Sequence, residues 1–519
     1  MSKKKPSPRR TRHFLHKILN RITLTGLLLA IQLAWLVWFT LRLSEYAIGI
    51  STLFTLLSLI LSLYIVRREE NPAYKICWII VLSALPLFGL LIYSVFGNKR
   101  LSRRMRKRLE TVEREHRIPT PKHKATDLPP RFRATCEYLA RHASYPAYAN
   151  TQATYYPLGD EWFPALLVDL EKAKRYIFLE YFIIAEGKML DRLLDVLSRK
   201  AKEGVDVRII YDDIGCEAAT PLTFVSKAER SGIRTLGFNR IIPFLSIVMN
   251  HRDHRKYTVI DGRIAYTGGI NVADEYINEK VRFGHWKDTG LRLEGEAVTG
   301  FVYMFLNLWN AFLPTDSDYS LFLDSPRPMA AEDAPTAVLP YSDSPLDDEN
   351  VGETVYLEIL AQAENYVYIF TPYLIIDSEL QTALCTAAKR GVDVRIVTPG
   401  IPDKKAAYRL TRSYYPPLMK AGVKIYEYTP GFLHAKSFVC DDKIAVIGTI
   451  NMDYRSLYLH FECGTLMYGG RVIADLKADC LDTMQKSRLV NEQSAKRPRP
   501  LRALRALIDA ILRTFSPLF

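Results

Sequence analysis

The chain has no C-x-x-C pair, no H-E-x-x-H segment and no G-x-x-x-x-G-K-[ST] loop. Zinc sites built on paired thiols, zincin chemistry and phosphate binding on a P-loop therefore lack their usual carriers. The seven cysteines, Cys77, Cys136, Cys216, Cys385, Cys440, Cys463 and Cys480, are odd in number, and several sit in apolar runs. That argues against a disulfide framework and reads as reduced thiols or small buried hydrophobes, with a lean toward the cytoplasmic side. Acidic residues are missing from residues 1–21, which hold eight Lys/Arg, and from residues 99–108, which hold seven. Residues 496–513 hold six against the single Asp509. These segments together carry +20 while the whole chain carries +14, so the remainder is near −6. A basic excess confined to the edges of apolar segments and to the tail suits anionic lipid headgroups, not a nucleic-acid groove.

Charge is also absent from three apolar runs, residues 22–41, 46–66 and 76–96. Each is about 20 residues long, the length that crosses a bilayer core. They predict three transmembrane helices, with Trp35, Trp38, Tyr64, Trp78 and Tyr93 as candidate interface anchors, and hence a multi-pass protein of the cell membrane. The first run is long for a signal-peptide core and no A-x-A-like site follows it, so it is expected to be retained. Basic clusters flank both ends of the set, which an odd number of crossings places on opposite sides. Pro86 marks the third run as a candidate kink or helical hairpin.

Residues 99–117 read as a basic surface helix, and 118–130 as a proline-marked linker within a 99–150 connecting region. From about residue 150, strand and helix patterns alternate. "YIFLEYFII" at 176–184 returns as "YIFTPYLII" at 368–376, and "GVDVRII" at 204–210 returns as "GVDVRIV" at 391–397. The spacing of 180–190 residues indicates a duplication: one half at 151–314, an acidic, Pro/Ser/Ala-rich connector at 315–350, and a second half at 351–490. Strand–helix alternation gives an α/β fold, and two similar halves pack about a pseudo-twofold axis. The tail, 491–519, has apolar residues at helical spacing between Arg502, Arg505 and Arg513, which suits a basic amphipathic helix lying on the bilayer or docked on the catalytic region.

The duplication carries "HRKYTVIDGRIAYTGGIN" from His254 to Asn271 and "HAKSFVCDDKIAVIGTIN" from His434 to Asn451. In each, His and Lys are two apart and share one strand face. Asp261-Gly262 is a hairpin signal, and Asn271 and Asn451 end the returning strands. Imidazole, ammonium and amide converging on one spot make a phosphate site. The ammonium and amide hold non-bridging oxygens, and the imidazole attacks or moves a proton. Two copies across a pseudo-twofold let His254 and His434 work on one phosphorus, as nucleophile and as general acid/base. The four neutralising groups, Lys256, Lys436, Asn271 and Asn451, take the part that metals play elsewhere, so neither metal nor cofactor is expected.

This doubled H-x-K-x4-D motif, followed by G-x-x-N, resembles that of the phospholipase D superfamily. "NHRDHRKYTVIDGRIAYTGGINVADEY" (250–276), "HWKDTGLRLEGEAV" (285–298), "LHAKSFVCDDKIAVIGTINMDYRSLYLHFE" (433–462) and the apolar segment 71–97 are most similar to bacterial cardiolipin synthases. The resemblance covers about residues 70–515. It implies phosphatidyl transfer between two phosphatidylglycerols, giving cardiolipin and glycerol through a phosphohistidine on His254, with His434 as acid/base. Lys256, Lys436, Asp261 and Asp441 complete the motifs, the two aspartates bracing the hairpins. Asp288 and Glu462 match the acids that orient the histidines, within or across the halves. Gly269 and Thr449 stand where Ser is commoner. The alternatives are a hydrolytic phospholipase D or a non-catalytic membrane scaffold. His251 and His285 read as ordinary polar neighbours, Arg252 and Arg255 as headgroup contacts or exposed arginines, and residues 241–249 as either a loop among acyl chains or core.

Overall fold

β-branched and aromatic runs that alternate with amphipathic helices build two sheets from Thr151 onward. The structure is a computed structural model, and it describes residues 30–35, 37–38, 48–97, 103–122, 125, 128–217, 224–240, 250–324, 333–345, 349–491 and 499–518. The basic arm 1–21, most of the 22–41 run and the 241–249 segment lie outside these.

The first half contains β1 (Thr151–Tyr156), β2 (Tyr176–Tyr181), β3 (Asp206–Asp212), β4 (Arg234–Phe238), β5 (Lys256–Ile260), β6 (Ile264–Gly268), the short β7 (His285–Lys287) and β8 (Gly290–Gly295). Its main sheet runs β1-β8-β6-β5-β2-β3-β4. The second half contains β9 (Ala337–Asp343), β10 (Tyr366–Phe370), β11 (Leu374–Ile375), β12 (Asp393–Pro399), β13 (Lys424–Tyr428), β14 (Gly431–Leu433), β15 (Ser437–Cys440), β16 (Ile444–Gly448), β17 (Met452–Asp453), β18 (Glu462–Tyr468) and β19 (Ser487–Leu489). Its main sheet, read from the other end, runs β9-β18-β16-β15-β10-β12-β13-β19. The first seven of these follow the first sheet strand for strand, which is the duplication seen in the sequence. β9 starts the second half inside what reads as connector: Ala337 to Tyr341 are buried against β18, and Pro340 is tolerated because β9 is the edge strand.

The β5–β6 and β15–β16 hairpins carry the two motifs. Their turns hold Asp261 (φ 53°) with Gly262 (φ 70°), and Asp441 (φ 52°) with Asp442 (φ 57°), the left-handed pair that matches strand twist. Asp261 accepts backbone N–H bonds from Lys174, Arg175 and Tyr176 at 2.8–2.9 Å. Asp441 accepts the equivalent three from Glu364, Asn365 and Tyr366 at 2.7–2.8 Å. Both aspartates thus staple a hairpin tip to the start of a central strand. Asp261→Ala and Asp441→Ala are expected to destabilise by about 2 kcal/mol or more, because three donors lose their acceptor. The loss is expected to be larger for Asp441, whose donors are better buried. Turnover per folded molecule should stay within about threefold, checked by thermal unfolding beside an activity assay.

The membrane-facing expectations are revised. α1 (Ile48–Arg67) covers the second run, with side chains described from Thr52. The third run is not one helix. α2 (Pro72–Ala84) and α3 (Pro86–Phe96) meet at Leu85, and Pro86 opens α3 without an N–H to continue the first ladder. At about 1.5 Å per residue each is shorter than a bilayer core of about 30 Å. Gly89 lets α3 fold back on α2, since a Cβ there would stand 2.9 Å from Leu82 Cα. Among the described residues no helix is long and apolar enough to cross a membrane. Trp78 and Tyr93 meet edge to face at 5.2 Å within the hairpin instead of standing out as anchors. Leu53, Leu56, Ile60 and Leu63 of α1 and Ile76 of α2 remain exposed, an apolar outer face.

The basic segment after the hairpin is α4 (Arg103–Glu115). It packs Met105 and Leu109 into the core that joins the halves, beside α5 (Val298–Phe312), while Arg104, Arg108 and Arg114 are exposed. The tail helix α7 (Arg499–Thr514) docks on the second half: Asp509 pairs with Arg409 at 3.0 Å and Arg513 stacks over Tyr414 at 4.2 Å. Leu507 and Ile511 stay exposed. α6 (Tyr454–Tyr458) is a single short helix between the second motif and β18. All seven cysteines are free thiols and six are buried.

Candidate active site

Each motif begins where its hairpin meets the opposite half. Asp253 forms a parallel bridge with Phe461, so His254 N donates to Phe461 O at 2.8 Å. In the reciprocal place β14 pairs with β7, and His434 N donates to Lys287 O at 2.7 Å. These two rungs seat each histidine against the opposite half, near enough for the charge of His434 to act on His254. They also decide which acid serves which base. His254 Nδ1 bonds Glu462 at 2.8 and 3.0 Å, and His434 Nδ1 bonds Asp288 at 2.6 Å. The pairing is crossed: each half lends its acid to the other half's histidine. An ionised acid on Nδ1 fixes the tautomer and leaves Nε2 its lone pair for chemistry; Asp288 is ionised at rest, and Glu462 meets this condition once its proton has left.

The two acids are held differently. Asp288 accepts from Thr289 N at 2.8 Å, whereas Glu462 accepts from the Thr449 hydroxyl. Gly269, at the position equivalent to Thr449, is required for space: a Cβ there would stand 2.1 Å from Asp288 Oδ1. Gly269→Ala should therefore push Asp288 off His434. We expect at least a tenfold fall in turnover with a modest loss of stability, since misplacement of an orienting group by a fraction of an ångström suffices. An unchanged rate measured on the purified variant would contradict this.

Lys256 and Lys436 flank the imidazoles. Each donates to the carbonyl of its own motif's histidine, and Lys436 Nζ also lies 2.8 Å from His434 Nδ1. Phe182 meets His254 edge-on at 4.9 Å, and Tyr276 meets His434 edge-on at 5.3 Å. The histidine side chains keep only 9% and 10% exposure. Burial is the main cause of the electrostatics that follow. It holds His254 well below the usual imidazole range, aided by Lys256, and takes His434 down to about 4, aided by Lys436 and opposed by Asp288. It lowers Lys256 to about 8 and Lys436 to about 7. Glu462 is raised well above the carboxylate range by burial, which outweighs Lys256. Asp288 is the opposite case: burial would raise it, but His434 and Lys436 outweigh that and lower it. The site is a buried cationic pocket with two neutral imidazoles, an environment that gains most when an anion enters.

The asparagines are partly committed. Asn271 accepts from Ile183 N at 3.0 Å and donates to Tyr276 OH at 2.7 Å, leaving one amide hydrogen. Asn451 lies buried with Oδ1 unpartnered. Arg252 and Arg255 are not exposed: Arg252 faces Asp212 at 3.5 Å, and Arg255 pairs with Glu180 at 2.7 Å and Asp253 at 2.9 Å. They are the buried frame under the first motif. His251 donates to Leu459 O at 3.0 Å and His285 meets Tyr428 OH at 3.0 Å, both structural contacts.

His460 carries no motif signal in the sequence and lies at the bend between α6 and β18, two residues before Glu462. Its ring is 5.6 Å from that of His254, and its Nδ1 is 3.9 Å from Glu462. Among the described residues, His254, His460 and Glu462 are the group whose donor atoms lie close enough to share a metal ion. The chemistry of the set does not favour one, because Glu462 is already engaged by His254 and Thr449, and the Lys256 charge acts on all three.

Comparison with known proteins gives concordant results. The family described as "Cardiolipin synthase, PLD-like domain" matches residues 166–281 and 356–481, one copy in each half. The description "Phospholipase_D-nuclease N-terminal" matches residues 56–98, the α1–α3 segment. An uncharacterized protein of Streptococcus mutans is 44% identical over 464 residues, 88% of this chain and 99% of its own. A cardiolipin synthase of Geobacillus kaustophilus is 33% identical over 504 residues, 96% of this chain and 98% of its own. A cardiolipin synthase 2 of Bacillus cereus is 35% identical over 482 residues, 90% of each chain. Among solved structures, phosphatidylserine synthase of Haemophilus influenzae aligns with a TM-score of 0.56 at 15% identity, over 75% of this chain and all of its own. That likeness speaks to the fold alone.

Proposed function

The chain belongs to the phospholipase D-like cardiolipin synthase family, and from that premise we propose that it is a phosphatidyltransferase that converts two phosphatidylglycerols into cardiolipin and glycerol. The observation that carries the reading is the crossed pair His254–Glu462 and His434–Asp288 between two lysines. The arrangement suits two displacements at one phosphorus.

In the first, His254 Nε2 attacks the phosphorus of phosphatidylglycerol. The bond from phosphorus to the glycerol oxygen breaks, and His434 gives that oxygen a proton from Nε2. The diester anion offsets the charge of Lys256 and Lys436, which raises His434 back toward the range where it holds this proton. Glu462 stabilises the positive charge that develops on His254. Glycerol leaves, and phosphatidyl stays on His254. In the second displacement, His434 takes the proton of a glycerol hydroxyl on another phosphatidylglycerol. That oxygen attacks phosphorus, the P–N bond breaks, and cardiolipin forms. Lys256, Lys436 and the amides of Asn271 and Asn451 hold the equatorial oxygens. Phe182 and Tyr276 wall the imidazoles off from water, which favours a lipid hydroxyl as acceptor.

The lipid substrates place the enzyme at a membrane. The apolar outer face of α1 and α2 and the exposed Leu507 and Ile511 of α7 are the surfaces we assign to it, with the basic segments against anionic headgroups. Membranes containing the protein, given phosphatidylglycerol alone, should form cardiolipin and glycerol in equal amounts. Phosphatidic acid as the main product would instead identify a hydrolase, and the absence of any lipid product would remove the catalytic reading.

A further inference from the structure

The second motif and the acid that serves the first are joined by the single turn of α6. Asn451 and Asp453 precede it, and Leu459 to Glu462 follow it. The segment after α6 is the seat of the first motif. His251 bonds Leu459 O, Phe461 N donates to Arg252 O at 2.8 Å, and His254 N donates to Phe461 O. Whatever fixes α6 therefore fixes Asn451 at one end and both His254 and Glu462 at the other.

What fixes it comes from the N-terminal hairpin. Asn71 caps α2, its Oδ1 accepting from Ala73 N at 3.0 Å. Its Nδ2 points the other way, donating to Tyr458 OH at 2.8 Å and to Asp377 Oδ2 at 2.9 Å. Tyr458 OH in turn reaches Asp377 Oδ2 at 2.6 Å and Glu353 Oε2 at 2.7 Å. One turn along α2, Tyr74 meets the rings of Tyr454 and Tyr458 edge to face at 5.8 and 6.1 Å. The knot is buried: Tyr74, Glu353, Asp377 and Tyr454 are all core residues. Burial and the neighbouring Asp377 raise Glu353 to about 9, so this carboxyl keeps a proton to share at neutral pH. A surface anchor needs no such connection, because a hairpin that only tethers the enzyme works through a flexible linker.

We propose that Asn71 and Tyr458 are positioning residues for phosphatidyl transfer, through which the hairpin seats α6 and thereby sets Glu462 and His254 for attack. The inference rests on the reading that the protein turns over a phosphatidyl lipid, and it is independent of which product forms. It gives the hairpin two jobs, meeting the lipid surface and completing the catalytic constellation.

Two variants separate positioning from simple anchoring. Asn71→Asp keeps the acceptor that caps α2 but removes the donor to Tyr458 and Asp377. Tyr458→Phe keeps the ring against Tyr74 and removes the hydroxyl. With full-length protein in phosphatidylglycerol vesicles, each is expected to lower kcat on the order of tenfold or more, as small displacements of catalytic groups do. KM should stay within about twofold, cosedimentation with the vesicles should be unchanged, and the melting temperature should fall by no more than about 4 °C. The double variant should be no slower than the worse single one, because both cut one connection. Rates within twofold of wild type for Tyr458→Phe, a rise in KM with kcat intact, or losses that multiply in the double variant would each overturn the proposal. Wild-type protein that forms no lipid product at all would overturn the functional reading, and the inference with it.

Discussion

His254→Ala and His434→Ala are each expected to lower phosphatidyl transfer by roughly ten-thousandfold or more, with little change in stability. In the proposed scheme the two imidazoles supply the nucleophile and the proton carrier for the departing oxygen, and groups that act as a unit lose nearly everything when one is removed. The double variant should be scarcely slower than either single one. Stability should hold because each ring rests in its neutral form beside the lysines, so its removal costs no buried charge pair. The two variants should still differ in kind. Without His434, attack by His254 remains possible on a substrate whose leaving group needs no proton, such as a phosphatidyl nitrophenol. Without His254 no such rescue is expected. Initial rates on phosphatidylglycerol and on the activated ester, with unfolding curves for each protein, check all of this. A near-normal rate in either variant would refute the two-histidine scheme.

Glu462→Gln and Asp288→Asn are expected to cost on the order of a hundredfold to a thousandfold. An amide keeps the shape but presents either a donor or an acceptor to Nδ1, so it loses both the tautomer control and the negative charge beside a developing imidazolium. The crossed pairing adds a sharper expectation. Glu462 lies in the second half but serves His254, so Glu462→Gln should slow formation of the phosphatidyl-enzyme. Asp288 lies in the first half but serves His434, so Asp288→Asn should spare attack on the activated ester and slow only steps that need proton transfer. If the acids instead served the histidine of their own half, these two phenotypes would be exchanged. Rapid-mixing measurement of the first turnover with the activated ester distinguishes the two patterns.

Much of the site was legible because it is periodic and doubled. The spacing suggests that His254 with Lys256, and His434 with Lys436, share a strand face, but β5 begins at Lys256 and β15 at Ser437, so both histidines and Lys436 precede their strands, while Asp261-Gly262 announces its own turn. That the two sheets share one order over seven strands reflects the duplicated runs, while the order itself rests on pairings that no single run announces. The crossed carboxylates were not legible, since pairing within a half and pairing across the axis use the same residues. Only the rungs Asp253–Phe461 and Leu433–Lys287 decide between them, and backbone pairing between distant segments leaves no local signal. Arg252 and Arg255 read as surface residues because arginine usually is one. Their partners Asp212 and Glu180 sit on β3 and β2, tens of residues away. The sequence of β9 reads as connector because Pro340 and the flanking Asp and Ser residues suggest a loop, a rule that edge strands break. The third apolar run is legible in part, since Pro86 marks the break of a kink or helical hairpin. Its composition suits a span, yet Leu85-Pro86 divides it, and Gly89 makes the close return possible. Asn71 carries no local mark of its contact with the second half. Its second role depends on Tyr458, 387 residues away.

The central claim is that one phosphorus is passed to His254 and taken from it with the help of His434. The most direct measurement is to quench the His434→Ala protein after mixing with an activated phosphatidyl ester, whose leaving group needs no proton, under base, where a phosphorus–nitrogen bond survives, and to map the modified peptide by mass spectrometry. The account predicts a phosphatidyl adduct on His254 that accumulates in this variant and is absent from His254→Ala. An adduct on His434 in the wild-type protein, or turnover with no histidine adduct in any variant, would contradict it.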